Sequence, residues 1–340
     1  MTELGKEFFE KSPQENKYTS TGIKFWRHQY ALKSYKNGDP NSIISTHISP
    51  EGHCNLSCSY CSVSKRKFNE RIHLSTIKNY VSTLMKYGLK AVILTGGGEP
   101  TLYPQFNELV NWLLEKNLSV ALITNGTNID KVDSELWNYF SWVRISLNFF
   151  PNYKNVIRFP YIKGVLGTSM VYIGQSVKEI KDLSEFLPAD RVKYIRVLPN
   201  CLYAQETLIA EHKKISALLK QVGDERFFQQ FKIHETPHTS ICHQAYFRPY
   251  LSEVNGGTVF PCDSLVLNDA QAHFNEKYAI CPAADIEKFL NREIKMNFNP
   301  LTDCRGCVFA GNINLLDDWV CKGINHFDEY KEKLVHEEFV

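Results

Sequence analysis

The sequence predicts an α/β chain: six βα units forming a partial (β/α)6 barrel or an open parallel sheet, then a small cysteine-rich domain. Three observations predict it. Between residues 43 and 200, short apolar runs alternate with helical patterns, the rhythm of repeated βαβ units. Those runs are apolar almost throughout, which implies strands buried on both faces of a parallel sheet. Beyond residue 200 the rhythm stops and cysteines crowd in, six of the ten lying between 242 and 321. Six units fall short of a closed eight-stranded barrel.

Taken in order, residues 1–42 are an N-terminal extension. In it "IKFWRHQYALKSYKNG" reads as one amphipathic helix, with Ile23, Trp26, Tyr30 and Leu32 on one face and Gly38 as the stop. It is expected to pack over the open side of the barrel. The barrel region is 43–205. "SIISTHIS" is its first strand, and a cysteine loop follows directly. "LSTIKNYVSTLMKYG" is a helix with Ile77, Tyr80, Val81, Leu84 and Met85 inward and Gly88 at its end. "KAVIL", "SVALIT", "WVRIS", "TSMVYIG" and "VKYIRVLP" are the further strands; "FNELVNWLLEKN", "VDSELWNYF" and "VKEIKDLSEFL" are helices between them. Residues 206–235 are read as a connecting helix and strand. Residues 236–340 form the second domain, with a hairpin signal at Asn255-Gly256-Gly257 and a final helix over "GINHFDEYKEKLVHEEF" that closes the domain together with Trp319.

Composition narrows the function. The net charge is +2, which gives no support for a strong nucleic-acid footprint. No run of 18 apolar residues appears, and "MTELGKEFFEKSPQENK" lacks the apolar core of a signal peptide, so a cytoplasmic protein (of a bacterium or a phage-infected host) with no membrane association is expected. In a reducing compartment ten cysteines point to metal rather than disulfides.

The loop "EGHCNLSCSYCSVSK" places Cys54, Cys58 and Cys61 as CxxxCxxC. Thiolates at this spacing can converge on one metal or iron–sulfur cluster. A zinc knuckle completed by His53 is the alternative. With an aromatic, Tyr60, before the last cysteine, the loop resembles the signature of the radical S-adenosylmethionine (radical SAM) superfamily. The resemblance implies that the three cysteines hold three irons of a [4Fe-4S] cluster and that S-adenosylmethionine binds the fourth. One-electron cleavage of that cofactor then yields methionine and a 5′-deoxyadenosyl radical, which abstracts a substrate hydrogen. "TGGGEP" (Gly96, Gly97, Gly98, Glu99, Pro100) is similar to the family element that contacts the methionine amino group, and glycines do allow close approach while Glu99 can accept from an ammonium. By the same resemblance Thr124 and Asn125 of "ITNGT" lie near the cofactor, and Ser146 of "RISLN" meets its ribose. Asn148 stands where many relatives carry aspartate, and Arg196 of "YIRVLP" lies near the cofactor.

In the second cluster Gly257 lies between Cys242 and Cys262, with fourteen residues before it and four after. This is similar to the hairpin opening the auxiliary-cluster domains called SPASM and twitch. Cys304-Arg305-Gly306-Cys307 supplies the CxxC, so the resemblance implies one auxiliary [4Fe-4S] cluster on Cys242, Cys262, Cys304 and Cys307. Ile313 stands where a full SPASM domain has a further cysteine, which favours the shorter twitch form. Cys281 and Cys321 stay open as further ligands, zinc is the alternative for four thiolates, and Cys201 reads as a buried thiol.

Substrate contacts are sought among His53, Tyr60, Arg144, Tyr172, Arg196, Tyr203, His243 and Arg248. The expected enzyme is of isomerase or oxidoreductase type, served by a flavodoxin- or ferredoxin-type electron donor. Its substrate is a small molecule, a modified nucleobase or a peptide, with DNA left open. Twitch-type dehydrogenases fit the chain's size; about forty residues before the first strand leave no room for the peptide-recognition module of many peptide maturases. A further resemblance, to phage radical SAM proteins of thymine hypermodification, implies rearrangement of an amino-acid adduct on thymine. An iron–sulfur or zinc protein without catalysis is the rival of another class, but it has no use for the motifs at successive strand ends.

Overall fold

The strands line up in the order in which the chain makes them. A computed structural model describes residues 12–19, 22–65, 69–148, 152, 156–268, 277–324 and 334–340. In it β1 (Ser45–Ile48), β2 (Ala91–Leu94), β3 (Ser119–Thr124), β4 (Trp142–Ser146), β5 (Val165–Tyr172) and β6 (Val192–Pro199) are parallel neighbours. Helices α1 (Pro13–Tyr18), α2 (Gln29–Lys36), α3 (Leu74–Lys86), α4 (Phe106–Glu115), α5 (Val177–Phe186), α6 (Gln205–Val222) and α7 (Ala310–Asp317) surround them. Between β3 and β4 the expected helix "VDSELWNYF" is reduced to one short 3-10 turn, Leu136–Asn138, with another, Ile129–Lys131, just before it.

Period-two alternation sorts the side chains. Val92, Leu94, Val120, Leu122, Val143 and Ile145 point outward into the main apolar core with Ile77, Tyr80, Val81 and Leu84 of α3 and Leu109, Val110 and Leu113 of α4. The inward set is smaller and more polar. Ala91, Ile93 and Ala121 form a separate patch, and Phe339 of the C-terminal tail seats against it and beside Trp142, with ring centroids 5.6 Å apart. The tail therefore plugs one end of the lumen.

Three expectations need correction. The strand predicted to connect the domains, β7 (Phe227–Gln229), pairs in parallel with β6, so the barrel sheet runs to a seventh strand. The hairpin β8 (Tyr250–Ser252) and β9 (Thr258–Phe260) is not a sheet of its own. β8 adds in parallel to the free edge of β1, and β9 and β10 (Cys281–Pro282) follow antiparallel. Burying two open edges satisfies backbone groups that a detached domain would leave exposed. Finally, the predicted N-terminal helix is broken between Gly22–Phe25 and Gln29–Lys36. The break changes the register, so Leu32 and Tyr35 are buried while Tyr30 is 72% exposed. α2 packs on the second cysteine region through Tyr35, whose ring lies 5.1 Å from that of Tyr246, and it is Tyr18 of α1 that stacks on Tyr194 of β6 at 4.5 Å. Most of the predicted final helix lies outside the described residues.

Candidate active site

The cysteine loop leaves the end of β1 and is tied to the ends of the next strands. Gly98 N donates to Glu51 O at 2.9 Å and Glu99 N to His53 O at 2.8 Å, which fixes the loop to the glycine run after β2. A Cβ on Gly98 would lie 2.1 Å from the His53 carbonyl, and one on Gly97 would lie 2.0 Å from the Glu253 carboxylate. Side chains are excluded there by contact. Asn125, after β3, places its Nδ2 2.9 Å from Asn55 Oδ1 and 3.9 Å from Cys54 Sγ. Tyr60 donates to Asn148 Oδ1 at 3.2 Å, after β4, and burial together with the Cys58 and Cys61 thiols pushes its phenol above the usual range. Ser146 Oγ lies 3.5 Å from Ser169 Oγ on β5.

Glu99 is tied closely to its own neighbours. Its carboxylate is 2% exposed and accepts from Thr101 N (3.1 Å), Thr101 Oγ1 (2.7 Å), Thr124 Oγ1 (2.6 Å) and Asn125 N (2.7 Å). Burial raises its pKa, and these four donors oppose the rise. Three of these donors fall on Oε1 and one on Oε2, so Glu99 braces the glycine run and β3 and keeps an acceptor position on Oε2.

The second thiol set also converges. Cys242, Cys262, Cys304 and Cys307 are close enough to raise one another's pKa; burial is the larger cause and takes Cys304 and Cys307 to about 12. Buried thiols of this kind ionise only when a metal compensates them. Yet among the described residues no three cysteine sulfurs lie within 4.8 Å of one another. The four thiols suit a cubane cluster or a single zinc, since cysteine thiolates ligate both. Cys281 and Cys321 are elsewhere, beside Asp285 and Asp317 respectively.

The substrate candidates divide. Arg144, Arg196 and Arg248 line a cavity of about 110 Å3 in the barrel lumen. His243 does not: it is held between Tyr35 Oη (2.8 Å) and Asp317 Oδ1 (3.0 Å). Tyr172 is buried, while His53 and Tyr203 are exposed. Sequence reasoning missed His47, Lys232 and Asp263, which also line the cavity. His47 Nδ1 lies 3.1 Å from Asp263 Oδ2. Alternation in "SIISTHIS" was the available signal for His47; Lys232 and Asp263 sit in loops that carry none.

Residues 48–166 match the model of the radical SAM superfamily. The chain carries a radical SAM domain. Radical SAM proteins use S-adenosylmethionine and a [4Fe-4S] cluster, and three thiols on a loop beside a glycine cradle that any Cβ would fill suit both. Among curated relatives the chain is 30% identical over 148 residues to a UPF0026 protein of Helicobacter pylori, covering 37% of this chain and 47% of that one. It is also 30% identical over 108 residues to an S-adenosylmethionine-dependent nucleotide dehydratase of Selenomonas ruminantium, covering 31% and 38%. The chain thus spans less than half the length of either relative. In fold it resembles SuiB of Streptococcus suis bound to S-adenosylmethionine, with a TM-score of 0.54, 16% identity, and 81% and 74% of the two chains covered. No described helix is long and apolar enough to cross a membrane.

Proposed function

We propose that this radical SAM enzyme abstracts a hydrogen atom from a small polar molecule bound in the barrel lumen, with Cys54, Cys58 and Cys61 holding the catalytic cluster. The carrying observation is that the ends of β1, β2, β3 and β4 are tied to one loop through Gly98, Glu99, Asn125 and Asn148. When bound there, the cluster and S-adenosylmethionine would supply the one-electron chemistry for hydrogen abstraction. The chain's own part is placement. Gly96 to Gly98 let backbone approach the cofactor, Glu99 holds that backbone, and Asn125 packs against Cys54. Ser146 and Ser169 present hydroxyls to the same rim. Cys242, Cys262, Cys304 and Cys307 hold the auxiliary cluster, and a flavodoxin- or ferredoxin-type donor supplies the electron. The size of the lumen and its closure by Phe339 favour a small molecule over a peptide. A thymine adduct is a narrower reading, and none of the described lining residues speaks for it in particular.

Anaerobically reconstituted protein should hold about eight irons, two cubane clusters' worth, and form 5′-deoxyadenosine with a chemical reductant. The triple variant Cys54→Ala, Cys58→Ala, Cys61→Ala should lose about half the iron and all of the 5′-deoxyadenosine. Persistent product in that variant would overturn the assignment, and one zinc per chain would overturn the auxiliary cluster.

A further inference from the structure

The lumen cavity is lined by six lysines and arginines (Lys17, Lys24, Arg144, Arg196, Lys232, Arg248) and by one acid, Asp263. Two of the cations are accounted for. Lys17 is exposed, and Lys24 donates to the tail carbonyls of His336 (3.1 Å) and Phe339 (3.4 Å) with Glu337 and Glu338 nearby.

The inner four are not matched by acids. Arg144 and Arg196 point inward from β4 and β6. Arg196 sits level with Ser169, and Arg144 is paired with Gly167, one step deeper. Gly167 has no side chain between Arg144 and the Tyr194 ring, and a Cβ there would lie 2.0 Å from that ring. The carboxylates within electrostatic reach of this group are Asp263, beside His47, Arg248 and Lys232, and Glu15, beside Arg196 and Lys232. Arg248 also faces the Cys242 and Cys262 thiols and Lys232 faces Cys307, which leaves Arg144 and Arg196, close enough to repel one another, as the least compensated pair.

Hydrogen bonding leads to the same place. Arg196 Nη1 donates to Gln230 Oε1 at 2.6 Å and Arg248 Nη1 to Val340 O at 3.1 Å. Arg144 Nε, Arg196 Nε and Arg248 Nη2 are buried and find no acceptor among the described residues. Burial and the charge of Arg144 pull Arg196 down to about 9. Buried charge of this kind is costly unless an anion completes it.

We propose that these guanidinium groups and Lys232 hold the phosphoryl group of a phosphorylated small-molecule substrate, whose other end reaches the Ser146–Ser169 rim. A phosphoryl group carries about −1.5 to −2 at neutral pH and several strong acceptor oxygens, which suits two mutually repelling guanidinium groups and three orphaned donors. One carboxylate offers less charge and fewer acceptors. The cavity, at about 110 Å3, has room for roughly eight water-sized volumes of 10–15 Å3, enough for such a group. The inference rests on the radical SAM reading only for the identity of the rim; the anion site stands on its own geometry.

The test is calorimetric titration of reconstituted full-length protein with inorganic phosphate, succinate, S-adenosylmethionine and a short single-stranded DNA. One phosphate should bind per chain and succinate more weakly. Arg144→Gln and Arg196→Gln should each weaken phosphate binding about tenfold or more, while Arg196→Lys keeps part of it. Without phosphate both Gln variants should melt at or above the wild-type temperature, because an uncompensated charge has been removed; a structural role would lower it. Equal phosphate binding by wild type and variants, displacement of phosphate by S-adenosylmethionine, or tighter binding of DNA than of phosphate would overturn the proposal. Protein that forms 5′-deoxyadenosine but ignores phosphate refutes this inference alone. Protein that binds phosphate but forms no 5′-deoxyadenosine refutes the radical reading alone.

Discussion

Gly98→Ala probes how the cysteine loop is held. The new Cβ would sit 2.1 Å from the His53 carbonyl oxygen and 2.6 Å from the Gly52 carbonyl carbon, both backbone atoms of the loop. Reaching even a tight 3.0 Å contact requires about 0.9 Å of movement at the residue preceding Cys54. Overpacking of this kind costs about 1–3 kcal/mol. The larger effect is on rate, since a displacement near 1 Å at a reacting centre can cost about a hundredfold. Gly311→Ala is the control. Gly311 is in α7, has nothing within 4 Å of its virtual Cβ and no positive φ, so alanine should stabilise by about 0.5–1 kcal/mol. The assay is initial 5′-deoxyadenosine formation under anaerobic reduction, with urea unfolding and iron content in parallel. Gly98→Ala should retain auxiliary-cluster iron and lose rate. If it matches wild type in rate and stability, the loop is not held by this contact and the brace described above is wrong.

Glu99→Ala orphans the Thr101 and Asn125 amides, at about 1–3 kcal/mol each, and urea unfolding should show a loss of about 2–6 kcal/mol; wild-type stability would show that the carboxylate is no brace. Lys24 has a pKa lowered from 10.5 to about 8 by burial. A base depressed in the folded state destabilises the fold fully below the folded pKa, and the cost is relieved as pH rises through the window. Wild type should therefore gain about 3 kcal/mol over Lys24→Met between pH 7 and 10.5, and a constant difference would exclude the shift. Phe339→Ala removes the ring seated on Ala91, Ile93 and Ala121 and should cost about 3–5 kcal/mol by urea unfolding, whereas a loss under 1 kcal/mol would mean that the tail does not plug the lumen.

The barrel strands were legible because helix and strand periods alternate cleanly between residues 43 and 200. The positions of Cys54, Gly98, Asn125 and Asn148 at neighbouring strand ends follow from that rhythm alone. What β8 and β7 pair with was not legible. Strands of three residues carry too little pattern to name a partner, and which edge they join depends on open backbone groups far away in sequence. The bracing role of Glu99 was not legible, because a carboxylate at a strand end looks the same in sequence whether or not it is held by its neighbours; only Thr101, Thr124 and Asn125 in place show it. Arg144 was legible as inward, two residues before Ser146. That no described acid pairs with it was not, since Asp263 and Glu15 reach the lumen from opposite parts of the chain.

The hairpin added to β1 has an electrical consequence. β1 delivers Cys54 at its far end, while β9 runs the other way and delivers Cys262, next to the Asp263 that reaches His47. Two strands of one sheet edge therefore lead in opposite directions to the two thiol sets. With a cluster on each set, an electron given at one end and an electron withdrawn at the other would use separate doorways.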